Sequence, residues 1–89
     1  IACTAVNDVF VLNEWSKATG SQGKITMLAD GGAAFTKAIG AELDLTANGL
    51  GVRSRRYAML VKDGVVAAFN LEEGGKYEKS SAEELLKAL

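Results

Sequence analysis

The 89-residue chain predicts an α/β fold with a mixed β-sheet flanked by helices, on three observations. Short apolar strands alternate with capped helical patterns in the order β-α-β-α-β-β-α. The strands are apolar on both faces, as expected where helices cover both sides of a sheet. An Asp-Gly pair between two apolar runs, in "VKDGVV", marks a tight antiparallel hairpin.

Each element follows from its residues. "IACTAV" (1–6) is a strand by its Ile, Thr and Val content. Asn7 or Asp8 caps a helix over about 8–19, which Gly20 ends. "KITMLAD" (24–30) is a second short strand. "DGG" turns the chain into a short helix over 33–39, closed by Gly40. Residues 41–54 read as a loop, with Gly49 and Gly51 as breakers. "RYAMLV" and "VVAAFNL" form the hairpin. In "SSAEELLKAL", Ser80 with Glu83 and Ser81 with Glu84 both fit the capping-box spacing, and Leu85, Leu86 and Leu89 give this last helix an apolar face.

Two features point beyond these 89 residues. The chain opens on what reads as the interior of a buried strand, without a start methionine or polar lead-in, so Ile1 is expected to be an internal position of a longer protein. Val9, Phe10, Val11 and Leu12 are consecutive on a helix, where successive residues point about 100° apart. One sheet covers only one side, so the rest of that turn needs further chain or another subunit, or stays exposed.

Composition narrows the function. The chain is 48% hydrophobic, too much for a disordered segment, and no apolar run approaches the ~20 residues of a membrane span. A formal net charge of −1 argues against bulk nucleic-acid binding, which needs a basic surface. There is no histidine, which removes most zinc sites and all Ser-His or Cys-His catalysis within this chain. No metal and no cofactor is expected. A lone cysteine forms no internal disulfide and fits an intracellular reducing compartment, by default the cytoplasm, with the organelle unspecified.

Three arginines, Arg53, Arg55 and Arg56, crowd the mouth of the fifth predicted element in "GLGVRSRRYAML". If the strand starts near Arg56, then Arg56, Ala58 and Leu60 share one face, and Arg55, Tyr57 and Met59 the other. A guanidinium held at a strand mouth offers a permanent charge and a rigid fork of donors, suited to an anion or to lowering a thiol pKa; it serves equally as a surface partner of a carboxylate. "LADGGAAF" places glycines before a helix N-terminus but lacks phosphate-loop spacing, and reads as an ordinary turn. Cys3, within an apolar strand, reads as a buried, inert thiol rather than a nucleophile.

"ACTAVNDVFVLNEW", "MLADGGAAFTKAIGAELDL", "GLGVRSRRYAMLVKDGVV" and "EEGGKYEKSSAEELLKAL", taken together and in order, resemble the type II (peroxiredoxin-five-like) peroxiredoxins. The resemblance implies a thioredoxin-like fold and reduction of hydrogen peroxide and alkyl hydroperoxides by a peroxidatic cysteine in a Pro-x-x-x-Thr-x-x-Cys motif. That motif is absent here. Residues 1–89 would thus be the C-terminal part of a single thioredoxin-like domain, the motif lying in a missing N-terminal segment, and this chain alone would be inactive. The element order matches the minimal thioredoxin pattern, but without its redox Cys-x-x-Cys or the proline before the hairpin.

By the same resemblance, Arg56, directly before Tyr57, matches the family's active-site arginine, which stabilises the thiolate and orients the peroxide. Cys3 matches a second, non-peroxidatic cysteine, a resolving thiol in some members and idle in others. The animal members' resolving cysteine falls near Lys79 here, so the implied reductant is an external thiol: glutaredoxin, glutathione or thioredoxin. Phe10, Leu50 and Val52 match the family's dimer surface, implying a homodimer. The alternative from another class is a non-catalytic α/β module whose arginines bind an anion or a protein.

Overall fold

A computed structural model describes residues 1–88. The chain divides into two compact units, Ile1–Ser54 and the remainder from Arg55 onward.

In the first unit, β1 (Ala2–Ala5) and β2 (Thr26–Ala29) pair in parallel, Cys3 opposite Met27. Helix α1 (Val9–Thr19) makes the crossover, which parallel neighbours require. Asp8 is its cap: in extended backbone (φ −80°, ψ 168°), its side chain accepts from the Val11 N–H at 2.8 Å, satisfying one of the free donors of the first turn. Gly20 ends the helix at φ 69°, a left-handed conformation that glycine adopts without strain. Leu12 and Ser16, one turn apart, form the buried stripe of α1. Val9, Phe10, Val11 and Trp15 are exposed, so a single sheet face indeed leaves most of the apolar first turn uncovered.

Helix α2 (Ala34–Ala38) begins without a cap of its own, because Ala33, left-handed at φ 60°, has no side-chain acceptor. Asp30 supplies the acceptors from three positions back. Its Oδ1 takes the Phe35 N–H at 3.1 Å; its Oδ2 takes the Thr36 N–H at 2.8 Å and the Thr36 hydroxyl at 2.7 Å.

Residues 41–54 are not a loop. They form β3 (Glu42–Leu45), a 3₁₀ turn (Thr46–Asn48) and β4 (Gly51–Ser54), an antiparallel pair with Leu43 opposite Arg53. The physical reason is alternation: Glu42 and Asp44 are exposed, Leu43 and Leu45 half-buried, the period of a strand with one covered face. Gly49 and Gly51, at φ 75° and 66°, shape the connection rather than abolish the strands.

In the second unit, β5 (Tyr57–Lys62) and β6 (Val65–Leu71) form the expected hairpin. Asp63 and Gly64 both have positive φ, 51° and 77°, as a two-residue type I′ turn demands. A bulge at Leu60/Val61 shifts the register. Tyr57 meets Phe69 edge-to-face, ring centres 5.5 Å apart, a diagonal cross-strand pair. Helix α3 (Ala82–Leu86) is shorter than its sequence pattern. Of the two capping candidates, Ser81 caps it, accepting from Glu84 N–H at 3.2 Å; Ser80 bonds elsewhere. Leu85 is half-buried and Leu86 exposed, and Leu89 lies outside the described residues. Among the described residues the ladders are one parallel and two antiparallel pairs. No helix among the described residues is long and apolar enough to cross a membrane.

Candidate functional site

The three arginines have three different local roles. Arg53, on β4, is a staple. Its Nε donates to the Leu50 carbonyl at 2.8 Å, and one terminal nitrogen donates to the Val6 carbonyl at 3.1 Å and to Asn7 Oδ1 at 3.2 Å. It thereby ties the β3–β4 connection to the segment that leads into α1. Leu50, Val52 and Phe10, predicted to share a surface, lie on the elements this staple joins. Phe10 is 80% and Leu50 49% exposed; Val52 is half-buried.

Arg55 and Arg56 sit at the mouth of β5. Arg55 is the more buried, and its Nε donates to the Glu72 carbonyl at 2.6 Å. Arg56 is exposed, but its guanidinium carbon lies 5.4 Å from the centre of the Tyr77 ring, within range of a cation–π contact. Its backbone carbonyl accepts from the Glu72 N–H at 2.9 Å, which extends the β5–β6 ladder by one pair. Among the described residues, no carboxylate forms an ion pair with Arg56.

Glu72 is the residue that sequence reasoning missed. It is 1% exposed, unusual for a glutamate. Its Oε2 accepts from the N–H groups of Glu78, Lys79 and Ser80 at 2.7, 2.8 and 2.8 Å and from the Ser80 hydroxyl at 2.7 Å. Burial alone would raise its pKa, but the bonds from Ser80, Glu78 and Lys79 outweigh burial and hold it at about 2, because they favour the charged form. No motif marked it: its partners lie six to eight residues ahead in a loop without periodicity.

Cys3 is half-buried rather than sealed. Desolvation pushes its thiol pKa up, which disfavours the thiolate a nucleophile needs. An open cleft of about 350 Å³ between α1 and β2, lined by Val9, Leu12, Ile25, Met27 and their neighbours, contains no ionisable side chain. Among the described residues no cluster of three or more His, Cys, Asp or Glu could hold a metal ion.

A redoxin family profile matches residues 1–86. The chain belongs to the redoxin family. This redoxin chain is a portion of a type II peroxiredoxin. It is 55% identical to the chloroplastic Peroxiredoxin-2E of Arabidopsis thaliana, matching all of this chain and 39% of that protein. It is 53% identical to the chloroplastic Peroxiredoxin-2E-2 of Oryza sativa subsp. japonica, covering all of this chain and 41% of that one. Its fold is similar to the crystal structure of reduced Prx3 from Vibrio vulnificus in complex with hydrogen peroxide, with a TM-score of 0.91 and 49% identity over all of this chain and 57% of that one. The redoxin chain thus spans about two fifths of the length of these plant relatives.

Proposed function

We propose that residues 1–89 are the C-terminal part of a single thioredoxin-like domain and that the complete protein is a thiol peroxidase. The observation that carries this reading is the match of the whole chain, at about half identity, to peroxiredoxins, one of them solved with hydrogen peroxide. The redox thiol then lies in a part of the protein outside this chain, and the chain by itself consumes no hydroperoxide. Its contribution is Arg56. In the reaction a cysteine thiolate attacks one peroxide oxygen, the O–O bond breaks, and the thiolate becomes a sulfenic acid while the other oxygen leaves as alkoxide or hydroxide and takes a proton. Arg56 stabilises the thiolate and the negative charge that passes to the leaving oxygen. Its place on the Tyr77 ring supports this role, since an aromatic face holds a guanidinium without neutralising it. The sulfenic acid is reduced by an external thiol such as glutaredoxin, glutathione or thioredoxin, because Cys3, with its raised pKa, is a poor resolving group. The single cysteine suits a reducing compartment; the two plant relatives named above are chloroplastic.

The test is the rate of peroxidatic thiol oxidation in the complete protein, by stopped-flow, with the thiol pKa measured in each variant. Arg56→Gln is expected to slow oxidation about 100-fold, as loss of one preorganised donor to developing charge does. Arg55→Gln, which removes a bond to a backbone carbonyl, is expected to leave the rate within a few-fold of the parent. Equal losses would replace a positioned arginine by a diffuse field. No loss from either would remove both arginines from the mechanism; a parent without thiol oxidation, or an upstream segment without a cysteine, would favour a binding module that uses the same arginines.

A further inference from the structure

Glu72 and Arg56 face each other one position beyond the β5–β6 ladder, since Tyr57 pairs with Leu71 and the Glu72 N–H bonds to the Arg56 carbonyl. A carboxylate and a guanidinium so placed would ordinarily pair. Here they do not. One oxygen of Glu72 takes four donors from residues 78–80, and Arg56 turns instead to Tyr77, the residue immediately before that cluster. The four bonds fold the loop back on Glu72 and fix the segment on which Tyr77 sits.

We propose that Glu72 is a positioning residue: by anchoring residues 78–80 it seats Tyr77 beneath Arg56, so that the guanidinium is held in one place with its N–H fork left open to an anion. The inference rests on the peroxidase reading, in which Arg56 is the group that acts. Glu72 and Tyr77 act only through it. A carboxylate freed from the loop has the alternative of pairing with Arg56, which both moves and neutralises it.

Two measurements on the complete protein test this. The first needs no activity: the ring of Tyr77 shifts the Arg56 side-chain proton resonances upfield, and in Glu72→Gln, where a neutral amide oxygen holds the loop less firmly, those resonances move toward their unstacked positions. Tyr77→Leu marks that endpoint. The second is the rate of peroxidatic thiol oxidation. Glu72→Ala is expected to lower it about tenfold, less than the roughly 100-fold of Arg56→Gln, since misplacing a group costs less than deleting it. Glu72→Gln falls between Glu72→Ala and the parent. In an Arg56→Gln background Glu72→Ala has no further effect, whereas a general loss of structure would lower the rate in both backgrounds. Should Glu72→Ala fail to fold, Glu72→Gln and Tyr77→Leu carry the same cycle. Unshifted Arg56 resonances in Glu72→Gln, or additive rate losses, overturn the positioning role while leaving the peroxidase reading intact. A full rate in Arg56→Gln removes Arg56 from the mechanism and the positioning role with it, whereas a parent protein without peroxidatic thiol oxidation overturns the peroxidase reading.

Discussion

An unfolded glutamate takes up its proton near pH 4.5, whereas Glu72 in the fold resists until about 2. A folded-state pKa below the unfolded one means that stability from this group is fully present above pH 4.5 and is lost as pH falls from there through 2. Acid titration of the folded fraction should therefore show a shallower loss over that interval in Glu72→Gln than in the parent. Equal slopes would mean that the carboxylate does not stay ionised so far down. The arginines show what single residues reveal in advance. Strand alternation separated Arg55 from Arg56, and the structure gives them different partners, a backbone carbonyl and an aromatic ring. The identity of those partners was not legible, because Glu72 and Tyr77 reach the strand mouth through an irregular turn that no spacing rule encodes. Asp30 is similar. Its bonds to Thr36, first the hydroxyl and then the amide, lower its pKa against the effect of burial, yet a cap separated from its helix by a left-handed alanine has no sequence signature.

At the level of elements, local chemistry predicted well wherever it was self-sufficient. Asp8, Gly20, Ser81 and the Asp63-Gly64 turn act where their types and positions indicate. The β3–β4 pair was hidden because its two glycines look like breakers and its strands are only four residues long. The alternation of Glu42, Leu43, Asp44 and Leu45 was the available signal, and the glycines obscured it. The hairpin turn gives the sharpest test at this scale. Gly64 sits at φ 77° with open space around the position of a β-carbon, so a side chain there meets backbone strain and no clash. Gly64→Val is expected to destabilise the complete protein by about 1–2 kcal/mol, the cost of a left-handed conformation in an L-residue, read as a lower urea midpoint at unchanged slope. An unchanged midpoint would mean that the turn can adopt another type without loss.

The whole molecule leaves much apolar surface bare. Among the described residues, Val6, Leu12, Ala33 and Ala41 are the buried hydrophobic ones, while Val9, Phe10, Val11, Trp15, Leu28 and Phe35 of the first unit remain exposed. Exposed large apolar side chains in this number are the kind of surface that further protein covers. In the complete protein, Phe10→Asp should shift the sedimentation profile from dimer toward monomer. An unmoved profile would mean that the first turn of α1 is covered within its own subunit. The signal in the sequence was the run of four consecutive apolar residues, of which Val9, Phe10 and Val11 are exposed and Leu12 is buried. Arg53 adds a temporal consequence. Its bonds to Val6 and Asn7 bridge 47 and 46 residues of chain, whereas the hairpin of the second unit closes over two. Contacts between distant parts of a chain bear the loop-closure entropy and tend to consolidate after local ones. The staple should then be made late, after the folding barrier is crossed. Arg53→Ala would speed unfolding in a stopped-flow chevron and leave the refolding arm nearly in place; a matching slowdown of refolding would put the closure at the barrier itself. In such a protein Arg53 governs how long the native fold persists more than how quickly it arises.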